Sequence, residues 1–354
     1  MREKKFLLYP LFLFLGLFLF DKLFLLDKVK DYIKSDFTYL YYEAKEDIYR
    51  ELLNKYGKGK KGDKKLMVVL GSSRLLYFDA RELEEYYPDW DIYNLSSAVT
   101  TPAYYYYYLE KLLDNGVKPE FILLEADPYQ FNDNTPVFRK SNLTYSFDPI
   151  FILRHAFLFG KTYLSFYFGK FLFASGKNKP YIDTALSRLQ EPEKMKLRIK
   201  IKDATREALL KDRGHALSPV ASYVEKDFAV LKATSDRTLS WIYSSYKPSD
   251  MQYTFYEKSL KLCKENQIPL VIVWPQTSIP MQELIRKAAF ASEWEKRASA
   301  ISKKYSYKIW DMDRDPDYYC NSFADGGHMA KDCYRKFIRY AMVKLYNIKK
   351  GKQE

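Results

Sequence analysis

The apolar and polar positions divide the chain into three unequal parts. Phe6 to Phe20 reads FLLYPLFLFLGLFLF without a charge, and after Asp21 and Lys22 the run resumes as LFLL at 23–26. A helix of about 20 apolar residues crosses a bilayer, so residues 1–30 are predicted to hold a membrane-crossing helix. Asp21 and Lys22 lie near its far end, where they pair or reach the interface. No small-x-small cleavage site follows, which favours an uncleaved signal anchor over a removed signal peptide. Residues 31–54 mix charges and aromatics at helical spacing, predicting a juxtamembrane helix. YGKGKKGDKK, 56–65, is a glycine and lysine linker.

From residue 66 to 354 the pattern alternates between short apolar runs and amphipathic stretches. LMVVLGSS predicts a strand and a small-residue turn, LLYFDARELEEYY a helix closed by Pro88, and DIYNLSSA (91–98) a second strand. Thr101 is placed to cap the next helix, with Pro102 at its first position and Gly116 after its end. PEFILLEAD (119–127), IPLVIVWP (268–275) and YSYKIWDMD (305–313) predict three further strands. Helices are expected over MQYTFYEKSLKLCKEN, over 280–304 and from His328 to about Asn347. Strands separated by helices in this way imply a parallel sheet covered on both faces. The interval 129–238 breaks the rhythm and reads as an insertion with its own structure. Within it KMKLRIKIK (194–202) alternates cationic and apolar residues at a period of two. That spacing predicts a strand, serving either as a charged edge or as a groove for an anionic partner.

The formal charge of +13 suits nucleic acid, a membrane surface or an anionic polymer. No zinc-finger spacing, RNP-like stretch or helix-turn-helix pattern accompanies it, which sets nucleic acid aside. Arg2, Lys4 and Lys5 favour a cytoplasmic N-terminus and an exported remainder, against Lys22, Lys28 and Lys30 on the other flank. Among the 3 cysteines, Cys263 reads as a lone buried residue on a helix. Cys320 and Cys333 are either two buried thiols or a bridge around the loop between them.

Sites in open α/β sheets form beyond the carboxyl ends of the strands. Ser72, Ser73 and Arg74 follow the first strand, and Asp325 and His328 follow the fifth, in FADGGHM. A serine becomes a nucleophile when a base takes its proton, and the base needs a carboxylate to fix its tautomer. Those three residue types therefore fall at one end of one sheet. His155, in an aromatic stretch, reads as packed and structural, and His215 as a loop residue or one lining a groove. Arg74 is placed to contact an anionic substrate, to secure the helix start, or to pair with a carboxylate such as Asp79. Glu125 and Asp127 are expected to pair with Arg74 rather than to bind a metal, and no cofactor is called for.

VLGSSR followed at the far end by D-x-x-H before the last helix resembles the SGNH, or GDSL, hydrolase superfamily. The single anchor, the G-S-S turn and the insertion are most similar to its membrane-tethered acyl-transfer members, such as the teichoic-acid D-alanylation protein DltD and the alginate-acetylation proteins. The tract from YNLSSAVTTPAYYYYYLEK to FILLEADP also resembles domain of unknown function family 1574. The superfamily resemblance implies a flavodoxin-like three-layer α/β fold and a catalytic triad of Ser73, His328 and Asp325. It also implies an oxyanion hole from a second-block glycine N–H and a third-block Asn. Here no glycine stands between Asn94 and Pro102, so the N–H of Ser97 or Ala98 is expected to substitute, and the nearest Asn is Asn132. The implied function is a membrane-anchored serine esterase or O-acyltransferase acting on a cell-envelope glycan, with a membrane-bound O-acyltransferase as partner. A non-catalytic scaffold binding polysaccharide or that partner is the alternative, and an anionic-polymer binder using Lys194 to Lys202 a third. Tyr104 to Tyr108 are candidates for stacking on sugars, although helical spacing sends most of them to core or surface.

Overall fold

The computed structural model describes residues 6, 8–60, 62–216 and 223–350. Arg2, Lys4 and Lys5, on which the expected orientation rests, lie outside the described residues. Helix α1, Leu8–Lys22, runs into a tighter turn, Leu23–Leu25. Together Leu8–Leu25 are long and apolar enough to cross a membrane. At 1.5 Å per residue they span about 27 Å.

The expected juxtamembrane helix is two helices, α2 (Asp27–Ile33) and α3 (Thr38–Tyr56). Next come β1 (Lys65–Leu70), α4 (Ala80–Tyr86), β2 (Trp90–Asn94), α5 (Pro102–Asp114) and β3 (Phe121–Glu125). The helix expected directly after β1 is delayed, because Ser73–Leu75 form a single tight turn. Asp79 then starts α4 by accepting from the N–H groups of Arg81 and Glu82. Pro102 stands at the first position of α5 as expected, but the Thr101 hydroxyl donates to Asn142 at 2.9 Å rather than capping the helix.

The longest helices of the insertion are α6 (Ala156–Leu172), α7 (Ile182–Gln190), α8 (Pro192–Lys211) and α9 (Phe228–Thr238). The strand expected at 194–202 is thus helical, and the cationic groove built on it goes with it. Pro192 opens α8 and its Met, Lys, Leu and Arg residues are good helix formers. Four of the five cations in 194–202 are engaged. Arg198 donates to the Lys34 carbonyl at 2.9 Å, Lys202 holds Asp31 at 2.7 Å, Lys194 pairs with Glu191 at the helix start and Lys196 with Glu193.

The chain returns to the sheet through α10 (Asp250–Glu265), β4 (Leu270–Trp274), α11 (Ile279–Lys287), α12 (Ala289–Lys304), β5 (Ile309–Asp311) and α13 (Lys331–Lys349). The single helix expected over 280–304 breaks at Ala288, whose ψ of 129° is extended. The five strands pair in parallel in the order β2-β1-β3-β4-β5, the flavodoxin-like arrangement. Their side chains alternate between two cores. Val68, Leu70, Ile122, Leu124 and Ile272 face α5, α10 and α12, and Met67, Val69, Leu123, Val271 and Val273 face α4 and α13. Each such side chain contributes about 1.5–3 kcal/mol on burial. Tyr104 to Tyr108 are all buried in the first core, which removes them as a sugar-stacking surface.

Candidate active site

β1 ends in Gly71, where a side chain has no room: a Cβ would lie 2.8 Å from Glu125 Oε2 and 2.6 Å from Leu75. The turn that follows sends two consecutive serines in different directions. Ser72 is buried and donates from its N–H (2.6 Å) and its hydroxyl (2.8 Å) to Glu125. Ser73 is half-buried, and its Oγ stands 2.7 Å from His328 Nε2.

His328 Nδ1 lies 2.9 and 3.0 Å from the two oxygens of Asp325, which assigns the ring proton to Nδ1 and leaves Nε2 as acceptor for the serine. Asp325 Oδ1 also accepts from the N–H groups of Gly327 (2.8 Å) and His328 (2.9 Å), so the turn is closed by the same carboxylate that orients the imidazole. Burial works against ionising Asp325, but the His328 ring and these backbone donors outweigh it and hold its pKa at about 2.

Three restraints fix the turn. Phe323 and Met329 form an antiparallel bridge. Cys320 and Cys333 are disulfide-bonded around it, a closure worth about 3 kcal/mol on the loop-entropy account. From the insertion, α9 packs so closely that a Cβ on Gly326 would lie 2.7 Å from the Ser235 N, and Thr234 Oγ1 accepts from the Gly326 N–H at 2.9 Å.

Beneath the three residues lies a buried polar layer. Arg74 forms an ion pair with Asp127, whose carboxylate also accepts from Tyr243 (2.6 Å) and the Trp274 ring N–H (3.1 Å). The Arg74 and Asp127 side chains are 5% and 0% exposed, against 29% and 32% for His328 and Asp325. Of the roles expected for Arg74, the structure places it in a carboxylate pair, with Asp127 rather than Asp79, which instead meets Lys331 at 3.2 Å. Burial pushes Glu125 up to about 7 against the pull of the Arg74 guanidinium. Glu125 and Asp127 face different protein donors and do not converge as a metal pair.

Of the remaining expected residues, Ala98 stays beside Ser73, and the others are held by other partners. The Ser97 N–H donates to the Gly71 carbonyl at 3.1 Å, because the pairing of β2 with β1 continues past its last strand residue through Leu95 and Ser97. Ala98 offers its carbonyl to the Ser73 N–H at 3.3 Å. Asn132 fastens the insertion, donating to the carbonyls of Ile242 and Ser244 and accepting from Lys247. His155 is buried against Glu110 at 3.1 Å. His215 lines no groove; it is fully buried between Asn94 and the Ile92 carbonyl, and burial lowers its pKa to about 3.

Gln130, Tyr243 and Thr234 were not foreseen. The D-P-Y-Q spacing carried the signal for the first, since Asp127 and Gln130 form a capping box; Tyr243 and Thr234 carried none. No curated protein sequence matches the chain. Residues 1–345 match the family described as Protein of unknown function (DUF1574), and the chain belongs to that family.

Proposed function

We propose that this protein is an SGNH-type serine esterase or O-acyltransferase, held at the membrane by α1 and working outside the cytoplasm. The observation that carries the reading is the contact sequence Ser73 Oγ, His328 Nε2, His328 Nδ1, Asp325, at 2.7 and 2.9 Å. The residues come from opposite ends of the chain and meet at the carboxyl end of a parallel sheet. In the proposed cycle His328 Nε2 takes the proton of Ser73 as its oxygen adds to an ester carbonyl carbon. The imidazolium, stabilised by ionised Asp325, returns that proton to the departing alkoxide, leaving an acyl ester on Ser73. A water or sugar hydroxyl then loses its proton to His328 and attacks the acyl carbon, and His328 returns that proton to Ser73 Oγ as the serine leaves. The glycan acceptor and a membrane-bound O-acyltransferase as acyl donor come from the SGNH resemblance.

A second reading, a non-catalytic scaffold, is favoured by one observation. The Ser73 and Ser97 N–H groups, the nearest equivalents of oxyanion donors, already donate to protein carbonyls. At 3.3 Å the Ser73 bond is long, and a bond of this kind re-aims when substrate enters. The test uses the full chain in nanodiscs with a fluorophosphonate probe and p-nitrophenyl acetate. The enzyme reading expects labelling and hydrolysis that vanish in Ser73→Ala. Labelling that persists in the variant, or none in the wild type, overturns it and leaves the scaffold.

A further inference from the structure

Two helices of the insertion are amphipathic the wrong way round for a protein surrounded by water. In α7, Ile182, Leu186 and Leu189 recur at i, i+4 and i+7 and form one stripe. That stripe points outward, at 70%, 53% and 65% exposure, and the helix buries no residue. Its cation points inward, the Arg188 guanidinium donating to the carbonyls of Asp31, Tyr32 and Lys34. Helix α8 repeats the inversion. Leu197 and Ile201 are exposed while Arg198 and Lys202 turn toward α2 and the residues after it.

These faces continue the surface of α1. Asp21, near the end of its apolar run, is buried and accepts from the N–H groups of Ala174 and Ser175. Lys22 donates to the Leu172 carbonyl, and Asn178 donates to that of Phe24 at 2.9 Å. The exposed Phe171, Leu172 and Phe173 therefore stand at the depth where α1 ends, and the Tyr181 N–H, just before α7, bonds to Ile33 at 3.1 Å. Exposed Lys28, at the start of α2, and exposed Lys179, just before α7, stand where ammonium groups meet lipid head groups.

We infer that the end of α6 and the outer faces of α7 and α8 lie in the head-group region of the bilayer that α1 crosses, as a second, interfacial attachment. The occupant is lipid because the apolar surface is continuous with the membrane-crossing helix, Arg188, Arg198 and Lys202 are satisfied inward, and the exposed Lys194, Lys196 and Lys200 of α8 fringe the patch as cations for lipid head groups. An interfacial helix buries its apolar face about 5–10 Å into this boundary. The attachment stops the head from swivelling about α1. It also explains the two charges in the apolar run, which dock the insertion.

The test places a fluorophore on Leu186→Cys in the full chain, reconstituted in phosphatidylcholine and phosphatidylglycerol nanodiscs whose acyl chains carry nitroxides. The native cysteines stay silent, Cys263 being buried and the other two disulfide-bonded. Leu15→Cys, within α1, and Tyr319→Cys, at 72% exposure on the loop after β5, are the references. Quenching at position 186 is expected within about twofold of that at position 15, with none at 319. A label at 186 that behaves like the one at 319 overturns the inference. So does a label shielded from both water and lipid nitroxide, which means that a protein covers the face. An unquenched label at 15 removes the bilayer and this inference with it, while leaving the Ser73 chemistry to its own test.

Discussion

The carboxyl end of the sheet holds two polar clusters that meet at adjacent serines and differ in exposure. In the outer one, Ser73, His328 and Asp325 are each partly open to solvent, and each contact leads to the next. In the inner one, Ser72, Glu125, Arg74 and Asp127 are buried and bonded to other protein groups. The residue types barely differ. Exposure and connectivity separate them: the outer cluster ends at the partly exposed hydroxyl of Ser73, whereas the inner one ends on Tyr243, Trp274 and Gln130. Substitutions in the outer cluster should therefore act chiefly on rate, and substitutions in the inner one chiefly on stability.

Asp325→Asn gives the largest effect. The amide presents the wrong partner to Nδ1 and stabilises no imidazolium, so hydrolysis of an activated ester should fall on the order of 10³- to 10⁴-fold. Stability should fall by at most about 2.6 kcal/mol, the contribution of its lowered pKa. Rate and denaturant unfolding measured together decide it: loss of stability at an unchanged rate would place Asp325 in the structural cluster and erase the contrast.

Arg74→Met tests the other side. It leaves the Asp127 carboxylate buried without its cation, which should destabilise the protein by about 3 kcal/mol in denaturant unfolding. Removing both charges, as Arg74→Met with Asp127→Leu, should recover part of the loss, because the unpaired charge is the principal penalty. If Arg74→Met abolishes ester hydrolysis at unchanged stability, Arg74 belongs with the outer cluster.

The parallel sheet was legible because apolar runs of strand length alternate with helical periods, and the outer cluster because Ser73, Asp325 and His328 sit at strand ends where such sheets form sites. What escaped was decided by partners distant in sequence. KMKLRIKIK has the period of a strand, but Pro192 and the carbonyls and carboxylate of residues 31–36 hold it as a helix. Asp21 and Lys22 read as charges that pair or reach the interface near the end of an apolar run, and nothing local tells that they dock on Leu172 to Ser175. The inner cluster was only half visible. A pairing of Arg74 with Glu125 or Asp127 follows from their positions at strand ends, whereas Tyr243 arrives from an insertion whose fold no local pattern encodes.

The smallest effect concerns pH and sets the two clusters' carboxylates against each other. Glu125 holds its proton to about pH 7 when folded and releases it near 4.3 when unfolded. Between those values the folded state binds more protons, so this group removes stability as pH rises through the window. Asp313, pushed up to about 7 by burial, acts with the same sign. Asp325 acts oppositely. Its folded pKa of about 2 lies below the unfolded value, so the stability it contributes is present above about pH 4 and lost as pH falls toward 2. Each raised group should remove at most about 1.4 kcal/mol of stability per pH unit from pH 5 to 7, offset below about pH 6.5 by His215, which the fold keeps neutral while the unfolded chain protonates it. Glu125→Gln, which keeps a hydrogen-bonding oxygen and cannot ionise, should shift the slope upward by the share that Glu125 supplies. Asp325→Asn should leave it unaltered. Equal slopes in wild type and Glu125→Gln would mean that Glu125 is ionised across this range, and the inner cluster would then carry a second charged carboxylate beneath Ser72.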